Sequence, residues 1–258
     1  MTRRHLGSPA LGLCAIAVLG GGCGGGISDF ASFLGDPFGD ITDQVRDLDE
    51  TQLEDLLGEL MLRFRSYLAL RGAIPFERLD AEECFLETRD TGEVFSFVAD
   101  VDCVFGADVE PAAGAIGVTQ QQLAVSPVGV FRFELDYREV TLGDLEVHGS
   151  ERITETDSSD GASVRKLDLV QNGIELRYEF RAGLQDGEVP VFDYQLPGPG
   201  GDVLARITNP TTAGGFVTVF LTGLDGTLSC DIRNSLWTPE RLPRGTCDNG
   251  VVFGLPQE

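Results

Sequence analysis

The sequence predicts a mainly β fold, an antiparallel curved sheet or sandwich of about ten strands behind one N-terminal helical segment. Two observations carry this. Apolar residues recur at steps of three and four between Ile41 and Gly72 and at steps of two afterwards. The connections after Gly72 are also short, which suits neighbouring antiparallel strands and leaves no room for the crossover helices of a parallel sheet.

The helical segment comes first. Asp40 is placed to cap a short helix carrying Ile41, Val45 and Leu48, and Asp49 with Gln52 has the spacing of a capping box that opens a second helix. In that helix Leu53, Leu56, Leu57, Leu60, Phe64, Tyr67 and Leu68 form one apolar stripe. Glu50, Glu54 and Asp55 crowd its start and Arg63, Arg65 and Arg71 its end, as the helix macrodipole favours. A helical hairpin or bent helix lying against the sheet is expected.

The strands follow. Phe131, Phe133, Leu135 and Tyr137 alternate with Arg132, Glu134, Asp136 and Arg138. Ile174, Leu176, Tyr178 and Phe180 alternate with Glu175, Arg177, Glu179 and Arg181. Each run is a strand with one buried and one watered face. Phe95 to Cys103 repeats the pattern less strictly, and Asn172-Gly173 is a type I′ hairpin signal. Further strands are expected near 114–125, 144–154, 163–171, 189–196, 203–208, 216–222, 227–233 and 250–254. The preferred arrangement is a sheet wrapped on the helix, with a two-sheet sandwich next and a transmembrane barrel last, because dense charge lies on the second face of the strands.

The N-terminus is separate in character. Arg3, Arg4 and His5 precede a short apolar run from Leu11 to Leu19, and Gly20, Gly21 and Gly22 lead to Cys23. A basic start, a short apolar run and small residues make the pattern of a removed secretory signal. The segment resembles the lipobox of bacterial lipoproteins, with Leu19 four residues before the cysteine where the family favours leucine three before. The resemblance covers residues 1–26 and implies export, cleavage and acylation of Cys23, palmitate included. It also implies a place in the cell envelope, on the periplasmic or outer-surface side, with the membrane as a partner through the lipid. The expected organisation is a signal peptide over 1–22, a lipid-anchored tether over 23–39 and a single domain over 40–258. Phe30, Phe33, Leu34 and Phe38 suggest that the later part of the tether docks on the domain.

Composition narrows the functions. The whole chain carries 19 basic and 42 acidic residues, a net charge of −23. Residues 1–22 hold two of the basic residues and no acidic one, so the mature chain stands at −25. Phosphate binding needs clustered Lys and Arg, and the single lysine is Lys166; no nucleic acid is expected as a partner. Without a Walker loop or GxGxxG, no nucleotide is expected either.

Beyond Cys14 and Cys23, four cysteines remain: Cys84, Cys103, Cys230 and Cys247. An even number in an exported chain reads as two disulfides. Clustering suggests Cys84 with Cys103 and Cys230 with Cys247, although three connectivities are open. A four-cysteine zinc site is the rival, without the CxxC pairs that such sites use. No metal site and no cofactor are expected.

No catalytic residue is assigned. A Ser–His–Asp triad needs a histidine, and the only one beyond the signal is His148, on a polar strand face with Asp144, Glu146, Ser150 and Arg152. Ser163 and Lys166 have S-x-x-K spacing, but on a strand an offset of three puts them on opposite faces. Asp157, Asp160 and Gly161 mark a turn, and Asp100 and Asp102 share a strand face; neither follows EF-hand spacing. Two irregular loops, 231–246 with the only tryptophan (Trp237) and 197–201 (PGPGG), are the candidate recognition loops. The reading that results is a non-enzymatic envelope lipoprotein with a structural or partner-binding role, toward an envelope protein. A carrier of an apolar ligand inside the curved sheet and a carboxylate-dependent hydrolase are the alternatives.

Overall fold

The computed structural model describes residues 38–124, 129–156, 162–185, 189–208, 216–233 and 244–254. Among the described residues a long α-helix, α1 (Glu50–Ala73), is followed by two short α-helices, α2 (Phe76–Leu79) and α3 (Val101–Phe105), a 3-10 turn at Glu82–Cys84, and thirteen strands. The strands are β1 (Phe85–Asp90), β2 (Val94–Asp100), β3 (Ala112–Ala124), β4 (Val130–Leu142), β5 (Leu145–Thr156), β6 (Ser163–Gln171) and β7 (Ile174–Gln185). They continue with β8 (Val189–Pro197), β9 (Asp202–Thr208), β10 (Phe216–Gly223), β11 (Gly226–Arg233), β12 (Gly245–Cys247) and β13 (Val252–Phe253). All thirteen form one sheet in sequential order, every neighbouring pair antiparallel. The mainly β, antiparallel expectation holds, as a single sheet rather than a sandwich.

The capping box is present: the Asp49 side chain accepts from Gln52 N and Gln52 Oε1 accepts from Asp49 N. Of the expected stripe, Leu53, Leu56, Leu57, Leu60, Phe64 and Tyr67 are buried against the sheet, Leu68 is half-buried, and Leu70 is buried beside them. Along the helix the strand partners change steadily. Glu54 accepts from Gly254 N beside β13, Phe64 packs edge-on against Phe192 of β8, Tyr67 against Phe180 of β7, and Arg71 reaches Glu151 of β5. The helix therefore runs across the strands. From residue 54 to residue 71 it advances about 26 Å, whereas a flat sheet would need about 38 Å from β13 to β5. The sheet closes the difference by curling round the helix.

Several local expectations give way. Residues 40–48 form no helix; they run as a strap along the ends of β8–β11, with a turn at Arg46-Asp47. Thr42 and Asp43 donate from their backbones to Asp202 O, and the Asp225 carboxylate accepts from Val45 N and Arg46 N, which holds it below the ordinary carboxylate range. A strap bonded to strand ends has no spare amides for an i to i−4 ladder. The Phe95–Cys103 run ends at Asp100, whose side chain caps α3 by accepting from Asp102 N, so Asp100 and Asp102 share no strand face. The edge strand β1 and the three-residue β12 also go beyond the sequence expectation; β1 is mostly exposed and lacks the alternation that marks a half-buried strand.

Both expected disulfides form, Cys84–Cys103 and Cys230–Cys247. The first ties the start of β1 to α3, and the second joins directly paired residues of β11 and β12. Among the described residues no helix is long and apolar enough to cross a membrane.

Candidate functional site

The most distinctive point of the sheet is a seam between β7 and β8. Residues 180–185 of β7 pair with β8, but residues 174–179 pair only with β6. On the other side, Gln195 to Pro197 continue β8 against β9 alone. Asn172 (φ 49°) and Gly173 (φ 78°) make the type I′ turn that the sequence announced. In that turn Gln171 and Ile174 are the hydrogen-bonded pair, so the backbone groups of Glu175, Arg177 and Glu179 point away from β6, into the seam.

Arg63 of α1 fills the gap from within. Its Nη1 donates to Gln195 O (3.3 Å), its Nε pairs with Glu59 (2.7 Å), and its guanidinium lies 5.2 Å from the Tyr178 ring centre. Tyr178 donates its hydroxyl to Arg63 O (2.8 Å). An open groove of about 490 Å³ lies outside, with Phe38, Lys166, Arg177 and Gln195 among its walls. Its charges are matched: Lys166 pairs with Glu179 (2.9 Å) and Arg177 with Asp168 (3.1 Å). A groove neutral in sum, beside unladdered backbone, is suited to an extended peptide more than to a charged small molecule.

Further along the helix lies a buried ionic cluster. Glu151 sits on the inner face of β5 and is closed off from solvent. Arg71 approaches its Oε2 at 2.9 Å, the Tyr137 hydroxyl donates to the same oxygen at 3.0 Å, and Arg165 stands 4.0 Å from Oε1. Arg71 also donates to the Tyr137 hydroxyl, and Arg165 to that of Tyr67. Burial pushes the Glu151 carboxyl up, against the opposing pull of Arg71 and of the Tyr137 hydroxyl. Burial likewise raises Tyr137, Tyr178 and Tyr194 far above the ordinary tyrosine range. Glu151, Tyr137 and Tyr194 are closed off from solvent, and Tyr178 is nearly so. Glu151, Tyr137 and Tyr178 fasten helix to sheet through Arg71 and Arg63.

Cys84, Cys103, Cys230 and Cys247 are all consumed in disulfides, which leaves them no zinc-binding role. Among the described residues no group of His, Cys, Asp and Glu could hold a metal ion. His148 lies exposed on β5, opposite Val170 of β6. Ser163 is buried and accepts from Arg165 Nε (3.1 Å), while Lys166 is exposed on the other face. The PGPGG loop, a candidate recognition loop, is clasped to the strap. Gly200 N donates to Asp43 Oδ2 (3.0 Å), and side-chain carbons at Gly198 or Gly200 would collide with that carboxylate. Cys23, the tether residues Phe30, Phe33 and Leu34, the Asp157/Asp160/Gly161 turn and Trp237 lie outside the described residues.

The buried Glu151 was within reach of sequence reasoning. Leu145, Val147, Glu151 and Ile153 share a parity on β5, opposite to His148 and Arg152. Arg165 likewise shares its parity with Leu167 and Leu169. Arg63 and Arg71, read as dipole partners, stand eight residues apart on the helix with Tyr67 midway, on the side that meets the sheet. Comparison with known proteins finds no matching family, no matching curated protein and no matching solved structure.

Proposed function

We propose that this chain is an exported protein of the cell envelope, anchored by lipid at Cys23, with a structural or partner-binding role and no enzymatic chemistry. The observation that carries the second half is the filled inner face of the sheet. Leu53, Leu57, Leu60 and Leu70 of α1 meet Tyr194, Leu196, Ile207 and Val219 of the sheet with no exposure at all. That leaves the sheet's curve to the helix, where a carrier of apolar ligands needs space. Glu151, the most buried carboxylate, is locked to arginine and tyrosine instead of facing a cleft. What remains for recognition is the outside, and the seam groove is the best-formed part of it for an extended segment of an envelope partner.

The exported half rests on the basic start, the apolar run and the glycines before Cys23, and two disulfides suit an oxidising compartment. Stable anchoring takes at least two acyl signals, since one chain binds only marginally. Radiolabelled palmitate should enter the full-length protein in a bacterial host and fail to enter Cys23→Ala; equal labelling of both would refute the anchor. For the recognition role, photo-crosslinkers placed at Glu175 and at Arg177 should capture a common envelope protein, whereas capture at neither position removes the seam from consideration.

A further inference from the structure

The outer face of β8 is covered, and the geometry assigns a cover. Phe192 and Tyr194 point to the helix, so Val191 and Asp193 point away from it, yet each is only 2 % exposed. Arg206 clamps Asp193 with two donors (2.7 and 2.9 Å). On the same outer face stand Leu204 of β9 and Phe220 of β10, both half-buried. Apolar side chains shielded on the outer face around the Asp193–Arg206 pair are out of place on a sheet whose earlier strands turn charges to water.

The N-terminal strap begins on this face. Gly39 N donates to Gln195 Oε1 (2.8 Å), and one residue earlier the Phe38 ring lies 5.4 Å from the Arg181 guanidinium. Arg181 pairs across the strands with Asp193, one outer-face position before Gln195. The described chain thus enters at the β7–β8 side of this face, one outer-face position from Val191 along β8. The β7 residue opposite Val191 is Gly183, which has no side chain and leaves a slot beside it.

We propose that residues 27–37, which lie outside the described residues, dock along this outer face of β8–β10, with Phe30, Phe33 and Leu34 supplying the apolar contacts to Val191, Leu204 and Phe220. Eleven residues reach at most about 36 Å when extended, and β8 to β10 spans about 10 Å, so length is no obstacle. The segment carries Asp29 and Asp36 and no basic residue, which suits Arg181 and Arg206. The part of the presumed tether next to the domain is then a fixed strap. Docking needs no lipid, so it stands or falls separately from acylation.

The test uses the mature chain made soluble by Cys23→Ser. In that background Val191→Cys should react with a maleimide at least tenfold more slowly than Ser150→Cys, an exposed outer-face site on β5. Replacing Phe30, Phe33 and Leu34 together by Ser should raise the Val191→Cys rate tenfold or more, with circular dichroism unchanged. A fast rate before that replacement, or a slow rate that survives it, overturns the proposal and gives the cover to another segment or none. Independently, benzoylphenylalanine at Phe33 should cross-link within the chain to peptides from 181–195 or 204–220. Cross-links only between two copies, or only to another protein, would also overturn it.

Discussion

The two halves of this single sheet solve opposite problems. In β4–β7 the outer face is a watered ladder of exposed charges, Glu134 with Arg152, Lys166 with Glu179, and Asp168 with Arg177. Beneath it lies an inner face that holds ions, Glu151 among Arg71, Arg165 and Tyr137. In β8–β10 the inner face is built of apolar and aromatic side chains, Phe192, Tyr194, Ile207, Val219 and Leu221. There the outer face sets Val191, Leu204 and Phe220 around the clamped ion pair of Asp193 with Arg206. The helix joins these unlike halves across the seam, with Arg63 standing where ladder bonds stop. A meander thus need not be uniform: each half is stabilised by what its partners across the sheet demand, and one helix reconciles them.

The largest expected effect comes from breaking the ionic side. Glu151→Ala strands Arg71 and Arg165 in the interior and should cost about 3–5 kcal/mol in urea denaturation. Phe192→Ala on the aromatic side should cost a similar amount, about 3–5 kcal/mol. If the helix unites the halves, both variants unfold in one transition; two transitions would break the comparison. The disulfides sharpen it next, since each half of the chain carries one. Removing either pair, Cys84 with Cys103 or Cys230 with Cys247, should cost about 3 kcal/mol, because the loops closed span 19 and 17 residues. Non-reducing mass spectrometry should find no free thiol among the four.

One pH effect belongs to the ionic half. Burial raises the Glu155 carboxyl of β5 to about 7. The folded chain then keeps a proton that the unfolded chain releases near pH 4.5, so this residue's contribution to stability falls as pH rises from about 4.5 to about 7. Two and a half units would be about 3 kcal/mol, and residual solvent contact lowers that to about 2. Glu155→Gln should flatten the pH dependence in that window; an unchanged profile would contradict the assignment. On the other half, Asp43→Ala unclasps the PGPGG loop and leaves Gly200 N without its acceptor, a loss of about 1–2 kcal/mol by thermal unfolding. The smallest effects fall on the watered ladder. Lys166→Ala and His148→Ala should each change stability by less than about 0.5 kcal/mol, and His148→Ala should leave any binding activity unaltered. A hundredfold loss of binding without unfolding would mark that face as the functional one.

The contrast also explains what the sequence revealed. Where one face is watered, as in β4–β7, parity alone locates strands and their buried sides, and it names Glu151 and Arg165 as buried ions once the parity is followed past the apolar residues. The capping box and the disulfide pairs were legible because they depend on short spacings. The seam was not, because β7 alternates without interruption through residue 180 and nothing local marks where β8 stops pairing with it. The strap was misread as a helix for a related reason. Ile41, Val45 and Leu48 have helical spacing, but the partners of the Thr42, Asp43 and Val45 amides, Asp202 and Asp225, are more than 150 residues away, and no local pattern records them. The clasp of PGPGG on Asp43 is equally remote.

That remoteness has a consequence for how the chain assembles. Each strand of the meander meets the strand before it, so hairpins can form one after another as the polypeptide emerges. The strap and the start of the helix cannot finish with them: Thr42 waits for Asp202, Val45 for Asp225, Arg46 for Asp248, and Glu54 for Gly254. The first part of the domain to be made is the last to be secured. Until Asp248 and Gly254 arrive, the apolar stripe of the helix has only part of its sheet to lie on, so a chain cut before them is left with an unbuttoned strap and an exposed stripe that invites aggregation.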